Sequence, residues 1–324
     1  MDTELNRKLV STILKQIPEN KKPVTYLVNT LDISRESAYR RIRGDIPFTV
    51  EELVTLANDL EFSVDVIFEQ EKQNRSFYDY MRAEENSHDF FVLMLKKYSE
   101  LLEKINFSKN LETIMAFNTF PPPFFVGYSN LFKFSYYKWL YQEKEISQNV
   151  SYSKLVMPDT AFVYQRKIRG NLVQGKNVII ILDTNIFLNL IKDIQYFYNR
   201  KLLTNDELLL IKEDTIRMVE QFEESSQTGT LGFAKVQLYL SSLCVNSNTV
   251  YYKFDDKVEP LFWLFTTNPI TVQNSGFVSM QMKWFNSLKR QSALITQSNE
   301  IMQAEFFFKQ RDYIDTYLTV DNSM

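Results

Sequence analysis

Residues 27–44 read LVNTLDISRESAYRRIRG, which is the pattern of two helices joined by a tight turn. Leu27 and Leu31 lie on one face at the end of the first helix. Asp32 can adopt the left-handed conformation that a tight turn needs, and Ser34 belongs to the residue types that cap the start of a helix. The stretch therefore predicts a helix, a short turn and a further helix that begins after Ser34.

The flanking segments complete a small helical domain. An amphipathic segment precedes the stretch, and Pro23 suits the first position of the helix before the turn. After the turn region, Thr49 and Glu52 form the pattern of a capping box at the start of a fourth helix. Ser63 can cap a short fifth helix. Residues 1–70 are therefore predicted to form a five-helix domain.

The third predicted helix, residues 34–43, has one apolar side and one basic side. Ala38 and Ile42 point one way, whereas Arg40 lies on the opposite side and Arg35 lies at the N-terminal tip. Arginine on a helix in the major groove can donate two hydrogen bonds to guanine or bind phosphate. The pattern therefore predicts a DNA-recognition helix.

Charge distinguishes this face from the rest of the domain. Residues 20–45 carry a net charge of +3, and the segment that follows them is acidic. A positive face attracts phosphate and orients docking, so double-stranded DNA is the predicted partner. The alternatives are a solvated helix without a ligand and a protein-binding module. Arg41 is expected to face a phosphate or an acidic neighbour. The side chains predicted to contact DNA are Lys22, Thr25, Ser34, Arg35, Glu36, Ser37, Tyr39, Arg40 and Arg43.

The N-terminal segment resembles the lambda-repressor-like DNA-binding domains, of the Cro/repressor or XRE type. The matching residues are Leu27, Leu31–Arg40, Arg43, Gly44, Thr49, Leu53, Leu56, Ala57, Leu60 and Ser63. Asp32 stands where the family usually has Gly, and Pro23-Val24-Thr25 replaces the usual Gln. The resemblance covers about 70 of the 324 residues. It implies a transcriptional regulator whose helix 34–43 reads the major groove, and the short half-site of one such domain favours a homodimer.

The composition disfavours many common enzymes. The chain has a net charge of −3, seven glycines without a Gly-x-Gly, and His88 and Cys244 as its single histidine and cysteine. Nucleotide-binding loops need several glycines at short spacing, and zinc sites and many nucleophilic centres need His or Cys partners. We therefore predict no catalytic residues, no metal site, no cofactor and no enzymatic activity.

The sequence shows no sign of export or membrane insertion. It begins with an acidic residue pattern rather than a secretory signal. Its longest apolar runs are far shorter than the roughly 18–20 residues that span a bilayer. We therefore expect a cytoplasmic protein that does not cross a membrane.

The rest of the chain has weaker patterns. Residues 71–88 are polar and predict a linker, and residues 89–324 predict a helix-rich α+β module, with a subdivision near residues 147–154 as an option. Alternating apolar residues after Val236 predict a small antiparallel sheet, so the whole protein is expected to be mainly α. Aromatic side chains around Pro121–Pro123 predict a core, with a ligand pocket as the alternative. The module is expected to dimerise or to sense a small-molecule or protein effector.

One segment of this module suggests a different function. Residues 178–188 resemble the opening of a PIN-type ribonuclease, in which a buried strand ends in Asp-Thr-Asn, here Asp183, Thr184 and Asn185. In that family the Asp helps to bind a divalent metal that activates water. A metal-dependent ribonuclease is therefore the alternative function. The role that we expect for Asp183 or Thr184 is instead to cap the helix that follows. Further carboxylates could come from Glu220, Glu223 and Glu224.

Overall fold

The computed structural model divides the chain into two units. One comprises residues 1–77 with 273–276, and the other comprises residues 78–272 with 277–324. The predicted domain limits stay predictions, and most of the predicted linker lies outside the described part of the chain. The described residues are 3–18, 20–60, 62, 78–80, 87–108, 110–171, 177–232, 234–255, 257–265, 267–272 and 275–320.

The N-terminal unit is built from amphipathic helices around one small core. Each described helix contributes an almost completely buried side chain to this core: Ile13, Leu27, Ala38 and Leu56. The four predicted helices that fall on described residues are confirmed. Residues 63–68, where the fifth helix is predicted, lie outside the described residues. The helices are α1 (Thr3–Gln16), α2 (Pro23–Leu31), α3 (Arg35–Ile42) and α4 (Val50–Asp59).

The larger unit combines helices with one large sheet. Its helices are α5 (Ser87–Asn106), α6 (Ser129–Gln142), α7 (Asp159–Asn171), α8 (Ile186–Asn199), α9 (Asn205–Thr228), α10 (Ser275–Arg290) and α11 (Glu300–Tyr317). Its strands are β1 (Tyr78–Tyr80), β2 (Leu111–Phe117), β3 (Asn177–Asp183), β4 (Thr230–Leu231), β5 (Ala234–Ser241), β6 (Thr249–Phe254), β7 (Lys257–Leu264), β8 (Asn268–Val272) and β9 (Ser292–Leu294). Short 3₁₀ helices occupy Pro122–Phe125 and Tyr152–Lys154.

The sheet is mixed rather than antiparallel. Its described strands follow the order β1-β8-β7-β6-β2-β3-β5-β4, and β9 also pairs with β5. The central strands β2, β3 and β5 are parallel, and the other pairs are antiparallel. Parallel neighbours need long crossover connections, and here α6 and α7 connect β2 to β3 while α8 and α9 connect β3 to β5.

The prediction of a mainly α fold with a small antiparallel sheet is therefore wrong for the larger unit. Strand β5 does not continue into β6 as a meander, because it pairs with β3 while β6 pairs with β2. Buried parallel strands such as β2 and β3 are nearly continuous apolar runs, which lack the alternation that reveals an exposed strand. Sequence alternation therefore identified β5, β6 and β7 as strands, but it could not show that β5 pairs in parallel with β3.

The two faces of this sheet carry cores of unequal size. Met115, Ile180 and Leu238 face a large cluster with most of the helices, whereas Ile114 and Ile181 face a smaller cluster with α10. Successive side chains of a strand point to opposite faces, so each central strand contributes to both cores. Most of the chain's aromatic residues lie in the larger cluster, which confirms the predicted aromatic core.

Candidate nucleic-acid interface

The turn between α2 and α3 is formed by two residues with defined roles. Asp32 ends α2 in the left-handed conformation, with φ 51° and ψ 47°. Ser34 is extended and caps α3, because its Oγ accepts the backbone N–H of Ser37 at 3.1 Å. The predicted turn and the predicted cap are both confirmed. Together they fix the direction in which α3 leaves α2.

The C-terminal end of α3 is closed by a Schellman motif. The N–H of Gly44 donates to the carbonyl of Arg41 at 2.9 Å, and the N–H of Asp45 donates to the carbonyl of Arg40 at 2.8 Å. Gly44 has φ 78°, a value that a side chain makes unfavourable. A Cβ at this position would have room, since its nearest neighbour would be Asn6 Nδ2 at 3.6 Å. Backbone conformation alone therefore calls for glycine.

The outer side of α3 exposes most of the side chains that the sequence predicts to contact DNA. Ala38 is completely buried on the inner side, while Tyr39 is 51% exposed on the outer side. Ser37 is half-buried. The exposed members of the predicted set on or near α3 are Ser34, Arg35, Glu36, Tyr39, Arg40 and Arg43, and Lys22 and Thr25 are exposed at the start of α2.

Arg41 is the arginine of α3 that the structure removes from this surface. Its Nε and Nη2 donate to the two carboxylate oxygens of Glu52 at 2.8 and 2.6 Å, and its Nη1 contacts the hydroxyl of Ser37. Both partners of the ion pair are largely buried. Of the two predicted surroundings of Arg41, the acidic neighbour is therefore confirmed. The pair joins α3 to α4.

Glu52 has a second role at the start of α4. Its Oε2 accepts the backbone N–H of Thr49 at 3.0 Å, and its own N–H donates to Thr49 Oγ1 at 3.2 Å. The predicted capping box is confirmed. One carboxylate thus caps α4 and neutralises the buried guanidinium of Arg41, which connects α3 to α4.

Internal hydrogen bonds limit what some of the polar side chains can offer to DNA. The hydroxyls of Ser34 and Ser37 each accept one hydrogen bond from within the domain, so each keeps its O–H to donate and one lone pair to accept. Such donors suit phosphate oxygens. Arg43 donates from Nε to Asp45 at 2.9 Å in an exposed ion pair, and its other guanidinium nitrogens stay available.

A contact between α2 and α4 holds the other side of the motif. The hydroxyl of Tyr26 donates to the carboxylate of Asp59. Burial is the larger cause and this hydrogen bond the next in raising the pKa of Tyr26 to about 12, so the phenol stays protonated as a donor. The Lys21 ammonium lies 5.3 Å from the centre of the Tyr26 ring. These contacts orient the start of α2, where Lys22 is exposed.

Sequence reasoning missed two basic side chains beside the end of α3. Arg7 and Lys15 line an open depression between α1 and the C-terminal end of α3, together with Arg43. Its volume is about 390 Å³. Arg7, Ser11 and Lys15 are spaced four residues apart and therefore share one face of α1. That spacing is the signal in the sequence that could have identified them.

Comparison with known proteins gives one match, in the segment that contains this motif. Residues 7–84 match the family model described as the BetR domain. The match supports a helix-turn-helix, DNA-binding regulatory domain at the N-terminus. No curated protein and no solved structure matches the chain significantly. The BetR match thus covers the turn, α3 and the capping box, and the larger unit lies almost entirely outside it.

Outside the BetR match, the structure gives Asp183 a role within the fold. Its carboxylate is 5% exposed and accepts the backbone N–H groups of Asn185 and Val245 at 2.9 and 3.0 Å. Helix α8 begins after Asn185, so the expected helix-capping role of Asp183 or Thr184 is wrong. Asp183 instead fastens the loop after β3 to the loop after β5.

The described residues do not assemble the acidic cluster that a metal-dependent ribonuclease needs. Within them, no group of three or more His, Cys, Asp or Glu side chains could hold a metal ion. Glu223 forms an ion pair with Arg311, and Glu220 and Glu224 are exposed on α9. The charge of Asp183 raises the pKa of the neighbouring thiol of Cys244, which keeps that thiol protonated.

In the described ranges, no helix is long and apolar enough to cross a membrane.

Proposed function

We propose that the protein is a transcriptional regulator that binds double-stranded DNA through α2 and α3, with α3 in the major groove. The observation that carries this proposal is the outer face of α3, where Arg35, Arg40 and Arg43 are exposed opposite the buried Ala38. A short helix with fixed ends and exposed guanidinium groups fits the groove and can read guanine. The BetR match over residues 7–84 supports a DNA-binding regulatory role in general, without specifying how DNA is read.

The geometry suggests a division of roles among the exposed side chains. Arg35, Glu36, Tyr39 and Arg40 lie on the face that would meet base edges, where arginine pairs with guanine and glutamate accepts from cytosine. The others surround this face and would bind the phosphate backbone, which positions the domain without reading sequence. We assign phosphate contacts to Lys22, Thr25, Ser34, Ser37 and Arg43, and add Arg7 and Lys15.

The proposed regulator acts as a homodimer without catalytic activity. One helix-turn-helix domain covers a short half-site, and two copies on a palindrome reach useful affinity and specificity. The larger unit would supply dimerisation and a response to an effector. Both oxygens of Asp183 accept hydrogen bonds from the backbone, which supports a role in stability rather than in metal-assisted hydrolysis.

Selection of bound duplexes from a random DNA library by the full-length protein tests this proposal. We expect a palindrome whose half-sites are about one helical turn apart, or a multiple of that distance. In a gel-shift assay on that site, Arg40→Ala should lose about a hundredfold to ten-thousandfold in affinity, because one bidentate base contact, worth about tenfold to a hundredfold, is removed from each of the two half-sites. Circular dichroism should show an unchanged fold, since Arg40 is exposed.

Arg166→Ala provides the matched control. Arg166 is an exposed arginine of α7, and the substitution removes the same charge from the larger unit. The control should keep wild-type affinity, and its salt dependence should be unchanged. Arg43→Ala should instead reduce the slope of log affinity against log salt by about two for the dimer, as expected for one lost phosphate contact in each protomer. Unchanged binding of Arg40→Ala would overturn the assignment of α3 as the recognition helix.

A further inference from the structure

A cavity lies inside the larger unit, between the sheet and its larger helical layer. Its volume is about 90 Å³. Thr113 and Met115 of β2, Ile180 of β3 and Tyr252 of β6 form its floor, and α5 and α9 cover it. A single water needs only about 10–15 Å³ of such space, and an apolar cavity of about 150 Å³ takes up benzene. The cavity therefore holds far more than one water but is smaller than that benzene-binding cavity, so a single small ring would fill it completely.

The described lining of this cavity is mostly apolar and carries no charge. Besides the two tyrosines described below, its polar members are Thr113 and two hydrogen-bonded pairs, Asn106 with Asn171 and Tyr128 with Gln221. Leu102, Met115, Ile180 and Phe222 supply aliphatic and aromatic surface. None of the described residues that line it carries a charge, so an ionised ligand would lose its hydration without a compensating partner. The rings of Phe222 and its aromatic neighbours favour edge-to-face contacts with another ring. The surroundings thus select a neutral and mostly apolar ligand.

Tyr98 and Tyr252 together supply a spare hydrogen-bond donor in this lining. The hydroxyls of Tyr98 and Tyr252 lie 2.9 Å apart, and both side chains are buried. Among the described residues, each hydroxyl has the other as its hydrogen-bond partner. One hydrogen lies between the two oxygens, so the second is left to donate elsewhere. Burial raises the pKa of Tyr98 to about 12 and that of Tyr252 well above its ordinary value, which keeps both phenols protonated.

We propose that this cavity binds a small uncharged aromatic compound with one hydrogen-bonding oxygen, which accepts the spare hydrogen of the Tyr98–Tyr252 pair. The ring would occupy the space between Met115, Ile180 and Phe222. A buried hydroxyl hydrogen without an acceptor is costly, and a ligand oxygen that accepts it removes that cost. The proposal goes beyond DNA binding, because it concerns a ligand of the larger unit that can be measured without DNA.

Titration of the full-length protein with phenol, benzene and benzoate tests the proposal, with binding followed by ligand-observed NMR and calorimetry. Phenol should bind saturably to one site, about fivefold more tightly than benzene, which corresponds to one neutral hydrogen bond. Benzoate should bind at least tenfold more weakly than phenol because its charge is not compensated. Absence of saturable phenol binding, or benzoate binding as tightly as phenol, would overturn the proposal.

Two variants locate the site. Tyr98→Phe/Tyr252→Phe removes both hydroxyls together, so neither is left unpaired; phenol should then bind no better than benzene, and benzene binding should persist. Val178→Phe places a ring into the cavity, which Val178 lines, and should abolish binding of both compounds. Ile179→Phe, on the opposite face of β3, is the control and should bind both. If Val178→Phe does not fold, the double variant still decides, since unchanged preference for phenol would contradict the proposed hydrogen bond.

Discussion

The two units of the chain differ in the kinds of contact that stabilise each of them internally. In the N-terminal unit, polar pairs join the helices around a core of few residues: Arg41 binds Glu52 between α3 and α4, and Tyr26 binds Asp59 between α2 and α4. In the larger unit, an extensive aromatic and aliphatic cluster packs against one face of a sheet with nine described strands. Polar pairs thus supplement a small apolar core in the first unit, whereas the second unit has a much larger apolar cluster.

This difference has a consequence for function. A small domain that keeps one face polar for DNA cannot bury much apolar surface. A buried ion pair such as Arg41–Glu52 then helps to fix the orientation of its helices. Removing one member of such a pair leaves the other charge buried and unpaired, which is costly. A single substitution behind α3 should therefore affect DNA binding through stability, without touching the recognition face.

The largest effect is expected for Glu52→Ala. The substitution leaves the Arg41 guanidinium without its buried partner and removes the side chain that caps Thr49. We expect a loss of about 3–5 kcal/mol in the unfolding free energy of the N-terminal unit. Hydrogen exchange of amides in α3 and α4, measured in the full-length chain, checks this. Glu51→Ala removes an exposed glutamate from the same turn and should change stability by less than about 1 kcal/mol; equal effects of the two would contradict the role of the ion pair.

The corresponding test in the larger unit is Asp214→Ala. Asp214 is 1% exposed, and its carboxylate accepts the N–H groups of Asn130 and Leu131 at the start of α6, at 2.7 and 3.2 Å. It also contacts the guanidinium of Arg217. Its loss leaves two backbone donors unpaired at a helix N-terminus, so we expect a destabilisation of about 3 kcal/mol.

Denaturant unfolding of the full-length protein measures this effect. The neighbouring exposed residue supplies the control, because Glu213→Ala removes the same charge from the surface of α9 and should be nearly neutral. A near-neutral result for Asp214→Ala would show that the apolar cluster alone fixes α6, and would strengthen the contrast between the two units.

A smaller effect is expected for Asp183→Asn. An amide offers one acceptor oxygen where the carboxylate offers two, so the N–H of Asn185 or that of Val245 loses its partner. We expect a loss of about 2 kcal/mol in unfolding free energy. The wild type should cleave no single-stranded RNA with Mg²⁺ or Mn²⁺. Cleavage that disappears in Asp183→Asn would instead support the ribonuclease alternative.

The extent to which the sequence predicted the structure also differs between the two units. Asp32, Ser34 and the Thr49–Glu52 capping box act within three or four residues, so local reasoning identified them and the helices they delimit. The partner of Arg41 was left open between a phosphate and an acidic neighbour, because tertiary packing chooses it. In the larger unit Thr113 pairs with Val178 across two intervening helices, and no local pattern specifies that parallel register.

Local helical spacing also predicted which side chains of the candidate interface are exposed, but not the contacts that depend on tertiary packing. Helical spacing placed Arg40 on the outer side of α3, and the structure leaves it exposed. The same spacing could not show that Ser37 contacts Arg41 within the domain. Nor did it connect Arg7 and Lys15 of α1 with the end of α3, because their proximity depends on how the helices pack.

The smallest effect is expected from a pair of glycine substitutions, one in each unit. Gly44 has φ 78° in the Schellman motif that ends α3, so Gly44→Ala should destabilise the N-terminal unit by about 1–2 kcal/mol. Gly170 lies within α7 with free space at its Cβ position, so Gly170→Ala should stabilise the larger unit by up to about 1 kcal/mol. Thermal unfolding of the two full-length variants measures both signs. Stabilisation by Gly44→Ala would show that α3 does not end in a left-handed residue, and the geometry proposed for its approach to DNA would then have to change.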